Sequence, residues 1–470
     1  MSIPRAALLA AALITAPLPP SAAFTASAAE HRAGEGGGVD FDCDGRADLA
    51  VAAPYADAGG AARSGAVRVL YGMRQVRELT QDTPGVPDAA ELGDAFGAAL
   101  AAGDFDGDGC HDLAVGASEE FAGERRPGRD GDGVVHLFHG SRAGLRPGTT
   151  VDATDFGARP LGDRFGAALA AGDLDGDGDD ELVIGAPGHG RGGAVGVYGQ
   201  RGRKPYLLTQ RTRWIGQKAA VTDRFGAALA AGDFDGDGRA EIAVGAPGDT
   251  VRRKGQGSVT VLDPRRRRAL LITQSSPGIA GADENWDEVG AALAAGDFDG
   301  DGRDDLAIGA PGEGLTGDQR AMDHGDGMIH VVYGTPGGLR TADAESWSQN
   351  TLKGRPRYFD RFGSALAAGD LDGDGCAELA VGAPGENAAH ILRGTRGGGL
   401  TRAGNLLLTG KGGGFGAALA IVPAEDRGAG LVVAAPRAGR LVLFRPDGGR
   451  AGVALPTGPD ASLYGYAMAP

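Results

Sequence analysis

The chain has 470 residues, a formal net charge of -16, 86 glycines and only 6% aromatic residues. That acidic balance argues against a nucleic-acid partner, which needs Lys and Arg clustered on one face. Abundant Gly with few aromatics fits tight turns and thin strands better than large helices or a bulky core. Closed all-β folds often exceed the average domain size as one unit, so the length alone does not demand several domains.

Residues 1–29 read as a secretory signal peptide: Met1 and Arg5, the apolar run Ala6 to Ala16, then small residues around Ser21 to Ala29 where cleavage is expected. An uncleaved anchor is the alternative, disfavoured because the run is shorter than the ~20 residues of a span. With no second apolar span, no Cys for lipid attachment near the cleavage site and no sorting signal at the tail, the expected product is secreted. Residues 30–38 form a Gly-rich linker, and 39–470 one repeat domain.

One unit recurs along that domain: a Phe-Gly pair, an Ala-rich run, an acidic loop, an apolar run and Gly-Ala-Pro, whole in FGAALAAGDLDGDGDDELVIGAP from Phe165. The opening pair falls at Phe96, Phe165, Phe225, Phe362 and Phe415, with Val289-Gly290 and Tyr464-Gly465 as variants. The closing motif falls at Ala53-Pro54, Gly116-Ala117-Ser118, Pro187, Pro247, Pro311, Pro384 and Pro436. The first unit, at Asp40, lacks its opening, and the last, YGYAMAP, has nothing but an opening. Joined, they make one complete unit, as in a closed ring latched by both termini.

Between units lie runs such as GAVRVLYG, GVVHLFHG and GSVTVL, each followed by a second run such as PYLLTQ or ALLITQ. Short, alternating and bounded by Gly, they read as strands. Four strands per unit around an axis make a propeller blade. The expected fold is therefore all-β: a seven-bladed β-propeller with four strands per blade, the first blade closed by the C-terminal strand. A brief helix over the Ala-rich run is the competing local reading, weakened by its flanking Gly.

Six units carry Asp-x-Asp-x-Asp-Gly-x-x-Asp/Glu between the first two strands. The ligands are Asp40, Asp42, Asp44 and Asp48; Asp104, Asp106, Asp108 and Asp112; Asp173, Asp175, Asp177 and Glu181; Asp233, Asp235, Asp237 and Glu241; Asp297, Asp299, Asp301 and Asp305; and Asp370, Asp372, Asp374 and Glu378. Oxygen-only clusters suit Ca²⁺, and about six sites are expected. An EF-hand needs Glu at position twelve, where this chain has Val51, Val115, Ile184, Val244, Ile308 or Val381. Acids serving only as polar turn formers would repel one another strongly without a cation. The seventh loop, Pro423 to Leu431, keeps Glu425 and Gly428 but lacks most of the acids and is expected to bind no metal.

Phe-Gly, acidic loop and Gly-Ala-Pro in this order resemble the FG-GAP repeats of integrin α chains and of related secreted bacterial proteins. The resemblance implies calcium loops on one face, with partners engaged on the opposite face or the rim, and a role in adhesion. It does not extend to stalk domains or a β-subunit partner, nor to the phospholipase domain that FG-GAP repeats accompany in some enzymes. The expected protein is a monomeric, non-enzymatic module that binds an extracellular protein or glycan. A hydrolase using the central channel or loops and a structural cell-surface component are the rival readings.

Cys43 and Cys110, on adjacent blades, either form a disulfide or stay apart, leaving Cys376 free or paired between molecules. His136, His330 and His390 recur at one strand position and read as packing or rim residues. Arg265 to Arg268 reads as a solvated hairpin tip, with contact to an acidic polymer as the alternative. Trp214, Trp286 and Trp347 are expected to pack between blades.

Overall fold

The computed structural model describes residues 38–121, 130–199, 203–315, 325–352, 354–423, 429–445, 452–455 and 465–470. The signal peptide, all of the linker but Gly38, Tyr464, and Glu425 and Gly428 of the seventh loop lie outside the described residues. Among the described residues, strands form seven four-stranded antiparallel sheets, each a blade. No described helix is long and apolar enough to cross a membrane.

The Ala-rich runs are strands, not helices. They are the innermost strand of each blade: Phe96–Gly103, Ala168–Gly172, Ala228–Gly232, Ala292–Gly296, Leu366–Gly369 and Leu419–Pro423 in blades 2 to 7. Each packs against the inner strand of the next blade around the axis. The axis is crowded: a Cβ on Gly232 would lie 2.9 Å from the Ala295 methyl of the next blade, and one on Gly296 2.9 Å from that of Ala368. Larger side chains would force the inner strands apart.

Blade 1 takes its inner strand, Met468–Ala469, from the C-terminus, pairing Ala50 with Ala469 and Val51 with Met468. This strand touches the inner strands of both blade 7 and blade 2, closing the ring. Gly465 donates its N–H to Ala52 O at 2.9 Å, the bond that Gly226 makes to Gly245 O (3.0 Å) and Gly363 to Gly382 O (3.0 Å). The split unit is thus restored in register.

The opening and closing motifs meet across the joints between blades. Every Phe-Gly glycine holds a left-handed φ, from 80° at Gly166 to 93° at Gly465, a conformation that penalises any Cβ. That conformation aims its carbonyl at the Gly-Ala-Pro glycine of the preceding blade: a Cβ on Gly116, Gly185, Gly245, Gly309 or Gly382 would overlap the carbonyl oxygen of Gly166, Gly226, Gly290, Gly363 or Gly416. Ala52 and Ala434 fill the slot in blades 1 and 7. The residue before the Phe-Gly glycine is buried in the joint, with Phe96, Phe225 and Phe362 fully enclosed and Phe165 and the variant Val289 nearly so.

His136, His330 and His390 are buried on the third strands of blades 2, 5 and 6, and the rings of His136 and His390 sit edge-on to Phe96 and Phe362. Their packing role holds. Trp214 and Trp347 pack against apolar clusters, whereas Trp286 is exposed over Gly255.

Gly245→Ala, with no positive φ to confound it, is expected to destabilise the fold by about 1–3 kcal/mol through overpacking, read by denaturant unfolding. Deleting residues 465–470 is expected to lower and broaden the thermal transition, since blade 1 is left with three strands. A truncated protein that unfolds like the full chain would show that the latch is not needed.

Candidate metal centres

The six acidic loops follow one construction. Their second residue, between the first two acids, points the other way and is buried: Phe41, Phe105, Leu174, Phe234, Phe298 and Leu371. This apolar plug follows from the alternation of the run and anchors each loop to the core. The carboxylate at position one folds back to accept the N–H of the position-six glycine at 2.8–3.0 Å in all six loops. Both position four and position six hold left-handed φ, at Gly236 (74°) and Gly238 (84°) for example, which reverses the chain around the acids.

The loops also brace one another. The N–H at position eight donates to the position-one carbonyl of the preceding loop, from His111 to Asp40 (3.1 Å), Asp180 to Asp104 (3.0 Å), Ala240 to Asp173 (2.8 Å), Asp304 to Asp233 (3.0 Å) and Ala377 to Asp297 (2.7 Å). The acids therefore form a continuous belt on one face.

Within a loop the carboxylates converge. Ligand oxygens of Asp40, Asp42 and Asp48 lie within 4.8 Å of one another, as do those of Asp104, Asp106 and Asp108, and of Asp173, Asp175 and Glu181. The loops of blades 4 to 6 repeat the backbone hydrogen bonds that shape these three. Burial raises the position-nine carboxyls, Asp48, Glu181 and Glu378 to about 7 and Glu241 and Asp305 to about 8. The neighbouring acids add to this. Asp42, Asp175 and Asp235 each keep a buried carboxylate oxygen with no hydrogen-bond partner. Buried oxygens without donors, gathered with other acids and no softer ligand, fit a hard divalent cation.

The position-nine residue divides the loops. In blades 1 and 5 both oxygens of Asp48 and Asp305 accept backbone N–H groups at 2.7–2.9 Å. In blades 3, 4 and 6 the longer Glu181, Glu241 and Glu378 each accept a loop N–H at 2.8–3.0 Å, and Glu181 also reaches the oxygens of Asp173 and Asp175. These three loops each meet an arginine from outside the loop, Arg203 with Asp175 and Asp177, Arg266 with Asp235 and Asp237, and Arg393 with Asp372, whereas the loops of blades 1 and 5 pair with their own Arg46 and Arg303. In blade 2 the extra partner is His139, 3.2 Å from Asp106 and 3.3 Å from Asp112.

Sequence reasoning missed Arg203, Arg266, Arg393 and His139, because each comes from the third strand or the turn after it and not from the loop. Arg265 to Arg268 are exposed at a hairpin tip, as read, but the tip also reaches the acidic loops: Arg265 donates to Asp175 O at 2.5 Å and Arg266 sits on the blade 4 acids. Cys43 and Cys110 do form a disulfide, with a Cα–Cα distance of 5.6 Å, between position four of one loop and position seven of the next. Cys43 holds a φ of 53° where the other loops have Gly, a conformation costly for any other residue. Cys376 is free and buried.

The FG-GAP repeat profile matches residues 35–70, 96–138, 165–198, 225–262, 289–332 and 362–405. The chain is 32% identical to integrin alpha pat-2 of Caenorhabditis briggsae over 259 residues, 51% of this chain and 19% of that protein. It is 27% identical to phosphatidylinositol-glycan-specific phospholipase D of Rattus norvegicus over 400 residues, 78% of this chain and 44% of that one. It is 34% identical to human integrin alpha-X over 219 residues, 44% of this chain and 17% of that one. The chain thus spans less than half the length of these relatives. A Bacillus licheniformis rhamnogalacturonan lyase structure matches at 15% identity and a TM-score of 0.34, covering 76% of this chain and 74% of that one, too distant to bear on function. With six matched segments and the two motifs interlocked at the joints of a seven-bladed β-propeller, the chain belongs to the FG-GAP repeat family.

Proposed function

We propose that the protein is an exported, calcium-loaded propeller acting as a binding module for an extracellular protein or glycan. The observation carrying the calcium reading is the set of buried, donorless oxygens on Asp42, Asp175 and Asp235, each beside other carboxylates. Six divalent ions would bring the formal charge from -16 to about -4. Each ion would draw on the same hard oxygens throughout, so its role is to rigidify the loops. Arg203, Arg266 and Arg393 would swing outward on loading. The Cys43–Cys110 disulfide supports an oxidising destination.

The binding-module reading draws on the integrin alpha relatives, and on the acidic belt committing one face to metal, which leaves the opposite loops and the rim for a partner. An enzyme is the second reading, favoured by the alignment to a phospholipase D over 78% of this chain against 51% for the first integrin. Hydrolysis of a glycosylphosphatidylinositol substrate by the purified chain, abolished by loop substitutions that leave it folded, would decide for the enzyme. A saturable partner from a secreted fraction or glycan array, with no turnover, decides for the module.

Mature protein is expected to bind about six calcium ions and to melt higher with calcium than with chelator, because an ion binding only the folded state stabilises it by mass action. Unshifted melting with no bound metal would return the acidic loops to turn formers.

The pH response should change sign with loading. The position-nine carboxyls titrate near 7 to 8 when folded, above their unfolded values, so the metal-free native state holds protons that the unfolded chain releases. Metal-free stability is therefore expected to fall as pH rises from about 5 to about 8, between the unfolded and folded titration ranges, and to level off above that. Calcium needs those groups ionised, so the loaded protein should gain stability over the same window, measured by melting at fixed free calcium.

A further inference from the structure

On the face opposite the acidic belt, the residue before the Phe-Gly pair leads into the inner strand and takes a left-handed φ in six blades: Ala95 (58°), Arg164 (53°), Arg224 (57°), Glu288 (57°), Arg361 (52°) and Gly414 (73°). Such φ values are uncommon outside Gly, and their recurrence at one repeat position sets the same side-chain departure in each blade. Three of the six are arginines, in a chain whose net charge is -16.

Two of those arginines are spoken for. Arg164 pairs with Glu119 at 2.7 Å and Arg361 with Glu288 at 2.7 Å. Arg224 makes no side-chain hydrogen bond or ion pair among the described residues, although it is half-buried. Arg224, in blade 4, lies within electrostatic reach of Glu288, Arg164 and Arg361, from blades 5, 3 and 6. Arg164 also keeps a buried Nε with no partner. Tyr55 of blade 1 feels Arg164 and Glu119 from the other side and carries Arg63 over its ring at 5.1 Å. Three guanidiniums thus face two carboxylates, with the Arg224 fork left to solvent and the buried Arg164 Nε–H without a partner.

A partly buried guanidinium beside two others is costly unless an anion joins them, and its planar fork matches an oxyanion in two-point contact. We propose that the axial mouth opposite the acidic belt is an oxyanion site, in which Arg224, supported by Arg164 and Arg361, receives a carboxylate or sulfate group of the ligand. This deepens the binding-module reading by naming the chemistry of what is bound. Small acids, acidic side chains and acidic sugars share that chemistry.

The test uses calcium-loaded full-length mature protein titrated with sodium sulfate and, separately, sodium succinate, against sodium chloride at equal ionic strength. Melting temperature and calorimetric heat are recorded. Saturable binding of either anion is expected, weakened about tenfold or more in Arg224→Ala and partly kept in Arg224→Lys, with the exposed Arg402→Ala as an unaffected control. Preference for sulfate points to a tetrahedral group and preference for succinate to a carboxylate; either supports the site. Binding of neither anion, or equal binding by wild type and a folded Arg224→Ala, overturns it. Because the probes are small ions, that failure leaves capture of a macromolecular partner on another surface untouched, so the two readings fail separately.

Discussion

The contact on which the ring depends is the meeting of two glycines across a blade joint. The Phe-Gly glycine takes a left-handed φ that turns its carbonyl outward, and the Gly-Ala-Pro glycine of the preceding blade leaves no Cβ in its path. Neither feature would help alone. Together they let the inner strands draw close enough for their Ala methyls to fill the axis. The buried aromatic before the first glycine then seals the joint, so each blade is completed by its neighbour. Such a unit gains most of its stability only when the circle is closed.

The same geometry separates the chemistry of the two faces. Alternation along each acidic loop sends one residue into the core and the acids outward, and hydrogen bonds between successive loops join them into a belt. At the opposite end, the residue before Phe-Gly differs from blade to blade while its left-handed backbone recurs, and at Arg164 and Arg361 the side chain also pairs with the preceding blade. Within this chain one face of the ring therefore repeats a single composition while the other differs from blade to blade.

The sequence made the repeat, the strand order, the split first blade and the acidic loops legible because each is a local pattern at fixed spacing. What it concealed are relations between repeats. Cys43 and Cys110 occupy different positions in their own loops, and only the stagger of neighbouring loops brings them together. Arg266 looks like one of four arginines on a hairpin until the fold carries that hairpin over Asp235 and Asp237. Arg164, Arg224 and Arg361 stand roughly sixty or more residues apart in sequence, and their meeting follows from circular closure alone. Even there a signal existed, in the Asp-Arg-Phe-Gly recurring at Asp163, Asp223 and Asp360.

The Cys43–Cys110 bond gives the circle a direction. It covalently secures the joint between blades 1 and 2, whereas the joint between blades 7 and 1 is held without a covalent bond among the described residues, by the two-residue C-terminal strand and by packing of Leu49, Val51 and Leu70 against Val422, Val432 and Leu441. If the ring breathes, it opens at that seam, and the first blade stays attached to the second as the arc loosens. The molecule then behaves as a clasped bracelet with one hinge side and one catch. A mechanical pull or a protease meeting it at the catch would peel the C-terminal tail first, while the blades held by the disulfide leave last.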